Sequence, residues 1–200
     1  MIEVIYIERR YMKEIIKKIL KNTPLRALYE PLHKVYRLYS IPHMQKVLKK
    51  NGPHVVAHLA DVSRRYGIPL YAAYGTLLGF VREKGFISHD LDIDVGLVPG
   101  EYKASSLIKL LVEKEGFRFV SALQYNGRMT EFKLSCFQVP IDFFIYEEGD
   151  GDFEGYTYYF LEGVKYPTDR ANSVRVTSEA RVTERDIINV FGVDFPIPKN

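Results

Sequence analysis

The sequence predicts an α/β or α+β protein built on one β-sheet with mostly antiparallel strands. Apolar residues recur at helical spacing in several segments, and other segments alternate apolar and polar residues with the two-residue period of a strand. These two kinds of segment follow one another in mixed order along 200 residues, which is enough chain for one domain with a full core. In addition, Asn126-Gly127 separates two strand-like segments, as in a tight hairpin.

Proline and glycine positions indicate where most elements begin and end. Toward the N-terminus we predict a helix to about Lys21 and a second helix that opens with Pro24 and is kinked or broken at Pro31. Further helices are predicted over 43–50 and from Pro53 to Tyr66. The remaining predicted elements are strand 68–74, helix 76–84, strand 91–98, helix 101–115, strands 117–125, 128–139 and 141–146, and a strand at 156–161, whereas 163–181 is ambiguous.

Charge is distributed unevenly along the chain. Residues 1–50 contain 12 Lys and Arg against 4 Asp and Glu, whereas the remainder contains 16 against 21, and the total is +3. We therefore divide the chain into a basic helical N-terminal extension, 1–52, and a second domain, 53–200. The basic segment is either a solvated helix face or a surface for anionic partners, including peripheral contact with a membrane. No nucleic-acid-binding motif is recognisable, so no nucleic-acid partner is expected.

Cysteine content and hydropathy predict the compartment. The single cysteine, Cys136, excludes an internal disulfide framework and suits a reducing environment. No apolar run approaches the roughly 20 residues of a membrane helix, and charged residues from Glu3 onward interrupt any leader-like block. We expect a cytoplasmic protein, with the basic N-terminus available for peripheral membrane contact.

An acidic segment is the most informative feature of the sequence. Asp90, Asp92 and Asp94 alternate with aliphatic residues, which predicts a strand with carboxylates on one face and apolar side chains on the other. Carboxylates about 7 Å apart along a strand can share a divalent cation, and without one they would repel each other. The pattern therefore predicts metal-assisted chemistry.

A calcium-binding loop is an alternative interpretation of the same segment. The three aspartates match the first, third and fifth positions of an EF-hand loop, and Glu101 matches the twelfth. However, the sixth position of such a loop requires glycine for its sharp turn, and Val95 stands there instead. The strand interpretation is preferred because it also buries the aliphatic residues.

Other chemically capable residues lie before and after the acidic segment. Gly75 and Thr76 follow a predicted strand and open a helix, where backbone N–H groups favour an anion, although glycine before threonine is also an ordinary helix start. Asp142 lies on a later predicted strand and completes an acidic triad if that strand pairs beside 91–98; otherwise it is an exposed edge-strand aspartate. Arg82 and Lys133 could each hold a phosphate or be ordinary surface charges.

This order of elements is similar to the nucleotidyltransferase superfamily, and the motifs resemble the LicD family of fukutin-type proteins. The resemblance covers roughly residues 54–198. The matching motifs are Gly75 to Gly79 (GTLLG), Arg82, Gly85-Phe86-Ile87, the run with Asp90, Asp92 and Asp94, Ile141-Asp142-Phe143-Phe144, and Phe191-Gly192 through Pro196-Ile197-Pro198. One departure is Ser88-His89, which stands where the family usually has Pro-Trp.

The resemblance implies a nucleotidyltransferase-like mixed sheet and a phosphotransferase. Such an enzyme moves a phosphorylated alcohol from a CDP-activated donor to a hydroxyl of a glycan or glycolipid and releases CMP. It implies Mg²⁺ or Mn²⁺ held by oxygen ligands. The implied roles are Asp92 and Asp94 as metal ligands, Asp142 as shared ligand or general base, Asp90 as outer ligand, and Gly75, Thr76, Arg82 and Lys133 as contacts for the diphosphate.

Two other functions remain open from the sequence. One is a nucleotidyltransferase that attaches the nucleotide itself to an acceptor and releases pyrophosphate. The other is a non-catalytic, transferase-like module that binds a membrane or a partner enzyme through its basic N-terminus. The product released from a nucleotide donor, CMP or pyrophosphate, distinguishes the two enzymes. Divalent-dependent nucleotide affinity distinguishes both enzymes from the non-catalytic module.

Overall fold

The computed structural model describes residues 2–6, 26–98, 103–148, 150, 152–158, 174–179, 182 and 184–199. In these ranges, helices and strands follow one another in mixed order as far as the strand Arg118–Tyr125, only strands follow it, and the fold is α+β. The elements are β1 (Ile2–Tyr6), α1 (Arg26–Tyr66), β2 (Leu70–Ala72), α2 (Tyr74–Glu83), β3 (Ile93–Leu97), α3 (Ala104–Lys114), β4 (Arg118–Tyr125), β5 (Arg128–Cys136), β6 (Val139–Ile145), β7 (Glu147–Glu148), β8 (Phe153–Tyr158), β9 (Val174–Glu179), β10 (Arg185–Val190) and β11 (Val193–Pro198).

The central sheet has six strands in the order β1-β4-β5-β6-β3-β2. Strands β3 and β6 are parallel neighbours, and the other described pairs of this sheet are antiparallel. Because side chains alternate along each strand, the sheet has two chemically different faces. One face supplies buried apolar residues to the main core, for example Val95, Phe132 and Phe143. The opposite face presents the charged residues of the candidate site.

Helix α1 covers the core face, and it differs from the separate helices predicted for this region. It runs without interruption from Arg26 to Tyr66, past Pro31 and Pro53. Burial of one helix face, including Leu48 and Leu59, stabilises the helix more than the missing proline N–H groups destabilise it. In the described part of the chain, neither α1 nor any other helix combines the length and apolar character needed to cross a membrane.

The N-terminal segment contains a strand that the sequence pattern did not predict. Ile2–Tyr6, which is rich in β-branched residues, pairs antiparallel with β4 at the edge of the sheet. The helix predicted to end near Lys21 lies outside the described residues. The boundary between 52 and 53 falls inside α1, and the division into an extension and a domain stays a prediction.

Of the described strands after β6, the sequence pattern predicted only part of β8. Strand β8 begins three residues before the predicted 156–161, and β9 lies inside the segment that was ambiguous. Strands β10 and β11 form a hairpin around Phe191 and Gly192, and Phe195 of this hairpin is fully buried in the main core. The hairpin thus closes one side of the domain.

We expect Gly79→Ala to destabilise the protein, although alanine favours helices. A Cβ on Gly79 would lie 2.5 Å from the carbonyl oxygen of Gly85, a backbone atom that cannot turn away. Overpacking of this kind costs about 1–3 kcal/mol. In the matched helical variant Gly52→Ala, the Cβ meets only side-chain atoms of Phe86 and Leu48, so its cost should be smaller. Urea denaturation of both variants measures the difference, and equal stabilities would contradict the packing argument.

Candidate active site

Two carboxylates meet on adjacent strands of the sheet. Asp94 on β3 stands directly opposite Asp142 on β6 in the parallel register. Adjacent strands are about 4.8 Å apart, so these two side chains share one short stretch of the sheet surface. Both point away from the core because their neighbours Ile93 and Ile141 are fully buried. The strand pairing on which the acidic triad depended is therefore present, and Asp142 is not an exposed edge residue.

The other two aspartates lie before β3 and not on it, which corrects the prediction of a strand over 91–98. The chain turns at Asp90, whose Oδ2 accepts a hydrogen bond from the Ile87 N–H at 3.0 Å, while the Asp90 N–H donates to the Ile87 carbonyl at 3.1 Å. Such aspartate turns compete with strand pairing. The alternating pattern was correct for Asp94, but Asp90 and Asp92 approach the site from a bend.

The Gly-Thr turn at the start of α2 holds Asp94. The Gly75 N–H donates to Asp94 Oδ2 at 3.1 Å, and the Asp94 N–H donates to Thr76 Oγ1 at 2.8 Å. Helix N-termini favour a negative charge, and here the carboxylate comes from a neighbouring strand. Thr76 is only 1 % exposed. Its predicted hydroxyl contact with the donor is thus not supported, because the hydroxyl is buried against Asp94.

Gly75 itself provides close access to the carboxylates. A Cβ at this position would lie 3.2 Å from Asp94 Oδ2 and 3.3 Å from Asp90 Oδ1. Glycine therefore lets α2 begin directly between the two aspartates. Arg82, the predicted phosphate contact, is exposed in the last turn of α2, about 10 Å along the helix axis from Gly75 at 1.5 Å per residue.

Lys133 is the internal counter-ion of the site. Its Nζ lies 2.8 Å from Asp142 Oδ2 and 3.8 Å from Asp92 Oδ2. Burial lowers the pKa of Lys133, but the charge and hydrogen bond of Asp142 and the charge of Asp92 outweigh this effect and raise it. Lys133 is therefore a charged group that joins the two carboxylates, rather than the separate phosphate contact suggested by the sequence.

Glu131 is a residue of the site that sequence reasoning missed. It lies on β5 two residues before Lys133, so both project from the same face of the sheet. Burial, followed by the negative charge of Asp142, raises the pKa of Glu131 to about 7. The alternation of Glu131 and Lys133 with buried Phe132 and Leu134 was the available signal, and it is the same signal that identified Asp94.

Excess negative charge characterises the site. Burial, and then the charges of Asp92 and Asp142, raise the pKa of Asp94 to about 7, although the N–H groups at the start of α2 act in the opposite direction. Burial also raises the pKa of Asp90. Carboxylate oxygens are the donors that Mg²⁺ and Mn²⁺ prefer, so the chemistry of the site fits these ions. Among the described residues, however, no three His, Cys, Asp or Glu side chains converge closely enough to hold a metal as a group.

The raised carboxyl pKa values predict a pH-dependent stability. Between their ordinary values near 4 and about 7, Asp94 and Glu131 retain protons in the folded state that the unfolded chain has released. The free energy of unfolding should therefore fall as pH rises from about 4.5 to about 7. Glu131→Gln should reduce this fall, whereas Glu113→Gln, at an exposed position on α3, should not. Thermal unfolding at a series of pH values tests this, and identical profiles for Glu131→Gln and the wild type would contradict it.

The fold and the site together define a class of protein. A mixed sheet carries carboxylates on two adjacent strands, and a helix with Gly75 and Thr76 in its first turn, after a neighbouring strand, supports one of them. This arrangement is that of a nucleotidyltransferase-like α+β protein, as the sequence predicted. Because a fold of this kind supports several reactions, the class alone does not specify the substrate.

The chain belongs to the LicD family. The family model described as "LicD/FKTN/FKRP, nucleotidyltransferase domain" matches residues 67–200, which include all of the candidate site residues. No curated protein matches the chain. Membership indicates a phosphotransferase role in glycan modification in general terms, and it confirms the family resemblance of the motifs.

Proposed function

We propose that the protein transfers a phosphorylated alcohol, such as phosphocholine or a polyol phosphate, from its CDP-activated form to a hydroxyl of a glycan or glycolipid. The observation that carries the proposal is the pairing of Asp94 with Asp142 next to Gly75. In phosphoryl transfer, the protein acts mainly by positioning the reactants and neutralising charge. Two carboxylates on adjacent strands, next to the start of a helix, are suited to both tasks.

The proposed reaction breaks one bond and forms one bond. The acceptor oxygen bonds to the phosphorus that carries the alcohol, the bridging P–O bond breaks, and CMP leaves with the electron pair. The proton of the acceptor hydroxyl passes to a carboxylate. Asp142 is suited to accept it or to serve as a metal ligand, because it is 8 % exposed and is held in place by Lys133.

The carboxylate oxygens of the site indicate which residues would hold a divalent ion. Asp94 and Asp142, which lie opposite each other on β3 and β6, would hold Mg²⁺ or Mn²⁺. Asp92 is proposed as a third ligand that would have to move closer than its described position, because no three such side chains among the described residues converge on one point. Asp90 would orient the site from its turn with Ile87. When bound, the ion would neutralise phosphate oxygens and stabilise the leaving group. Lys133 keeps Asp92 and Asp142 near each other. Gly75, without a side chain, leaves room for the diphosphate, and Arg82 is proposed as its outer contact.

A panel of CDP-alcohols tests the proposed function. CDP-choline, CDP-ribitol and CDP-glycerol are each incubated with the protein, an acceptor glycan and Mg²⁺, and released CMP is measured together with the thermal unfolding temperature. One donor should raise this temperature in a Mg²⁺-dependent manner and release CMP. Pyrophosphate release from CTP would instead indicate a nucleotidyltransferase. Absence of any divalent-dependent nucleotide binding would indicate a non-catalytic module.

A further inference from the structure

Aromatic side chains border the acidic site on the same face of the sheet. Tyr74, which immediately precedes Gly75, is 43 % exposed, and its ring contacts Phe144 edge to face with centroids 4.7 Å apart. Phe144 is two residues after Asp142 on β6, so both project from the same side of that strand. The Tyr74 ring therefore lies at the border between the carboxylates and an apolar surface.

A buried aromatic cluster continues this surface. Tyr71 stacks on Tyr146, and Tyr146 stacks on Phe153, at centroid distances of 6.2 and 6.4 Å. All three rings are buried, and Phe144 packs against their cluster. Phe144 therefore packs against the buried cluster on one side and contacts the Tyr74 ring on the other, while Tyr74 itself remains accessible to solvent.

The backbone of Tyr74 is strained. Its φ is +40°, a left-handed value that is uncommon for a bulky aromatic residue. Strain of this kind persists where the surrounding structure imposes it, and it is concentrated at functional sites. The strained residue directly precedes the glycine whose N–H binds Asp94, so the backbone of Tyr74 is held next to the acidic site.

We propose that Tyr74 is the stacking platform for the nucleobase of the donor, a role that rests on the proposed function of the site. An exposed ring supported by Phe144 and adjacent to the carboxylates suits one planar base, whose phosphates would extend toward Gly75. A quaternary ammonium group is bound by cages of several aromatic faces. Tyr71, Tyr146 and Phe153 are buried, and Phe144 is partly buried, so Tyr74 is the most exposed of these five rings and favours a single stacked base.

The affinity of CMP for ring-deleting and ring-retaining variants tests this proposal. Tyr74→Asn removes the ring, and asparagine tolerates a positive φ, so this variant should fold. Its Kd for CMP in the presence of Mg²⁺, measured by calorimetry on the full chain, should rise about 10-fold, as expected for loss of one stacked base. Tyr74→Phe should bind like the wild type. The matched control is Phe137→Asn, another exposed aromatic position with positive φ (+48°).

The other outcomes separate this proposal from the proposed function. Equal CMP binding by Tyr74→Asn and the wild type would overturn the platform while leaving the donor class intact. Weaker phosphocholine binding with unchanged CMP binding would assign the ring to the alcohol and also overturn it. The wild type could also bind UMP or GMP in a Tyr74-dependent way but bind no cytidine nucleotide. Because stacking tolerates every base, that result would support Tyr74 as the platform and contradict a CDP-activated donor. Binding of no nucleotide would overturn both.

Discussion

Asp142→Asn is expected to lower the rate of CMP release by roughly 10²–10⁴-fold, the usual contribution of a positioned acid–base group. Asparagine has nearly the same shape and keeps an oxygen that can accept the Lys133 hydrogen bond, but it carries no charge and cannot accept the proton of the acceptor hydroxyl. As a metal ligand it would also be weaker than a carboxylate. Either role of Asp142 therefore predicts a large loss in kcat.

Two controls identify the cause of this loss. Asp186→Asn makes the same chemical change at an exposed position of the C-terminal hairpin and should leave CMP release unchanged. Circular dichroism of Asp142→Asn should match that of the wild type, since the isosteric side chain preserves the packing on β6. Near-wild-type activity of a folded Asp142→Asn variant would exclude Asp142 from the proposed chemistry. The same result with Asp94→Asn would exclude the whole acidic site from it.

The parts of the fold that were predictable from sequence are those that depend on neighbouring residues. Strands β4 and β5 were anticipated from their alternation and from Asn126-Gly127, both of which have positive φ as that turn requires. The pairing of β1 with β4 was not anticipated, because the two segments are more than 100 residues apart and no local sequence pattern specifies their contact. The continuity of α1 past its prolines also depends on tertiary burial, which outweighs local propensity.

In the candidate site, too, features that depend on neighbouring residues were predictable from sequence, whereas contacts between distant segments were not. Asp94 and Asp142 could be selected from sequence because each interrupts an apolar strand in a regular alternation. The role of Thr76 could not be predicted from sequence. Its hydroxyl accepts a hydrogen bond from a residue 18 positions later, and this contact depends on how α2 packs against β3. The partner of Lys133 was not predictable either, because only the pairing of β5 with β6 places this residue opposite Asp142.

Phe80→Ala is expected to lower the free energy of unfolding by about 3–5 kcal/mol, the usual cost of deleting a fully buried aromatic side chain. Phe80 is 0 % exposed and lies on α2, whose first turn holds Asp94. Its ring meets those of Phe195 and Phe191 edge to face at 5.6 and 6.2 Å, so it joins α2 to the C-terminal hairpin. For a protein of this size, the thermal midpoint should fall by roughly 6–20 °C.

Phe137→Ala is the matched control, because it deletes the same ring at a turn position that is 58 % exposed. It should change stability by no more than about 0.5 kcal/mol. Since Phe80 supports the helix that carries Gly75, Phe80→Ala should also weaken nucleotide binding, an effect that Phe137→Ala should not have. If urea denaturation gives equal stabilities for the two variants, the aromatic contacts of Phe80 do not hold the hairpin against α2, and the support that this packing gives to the acidic site is absent.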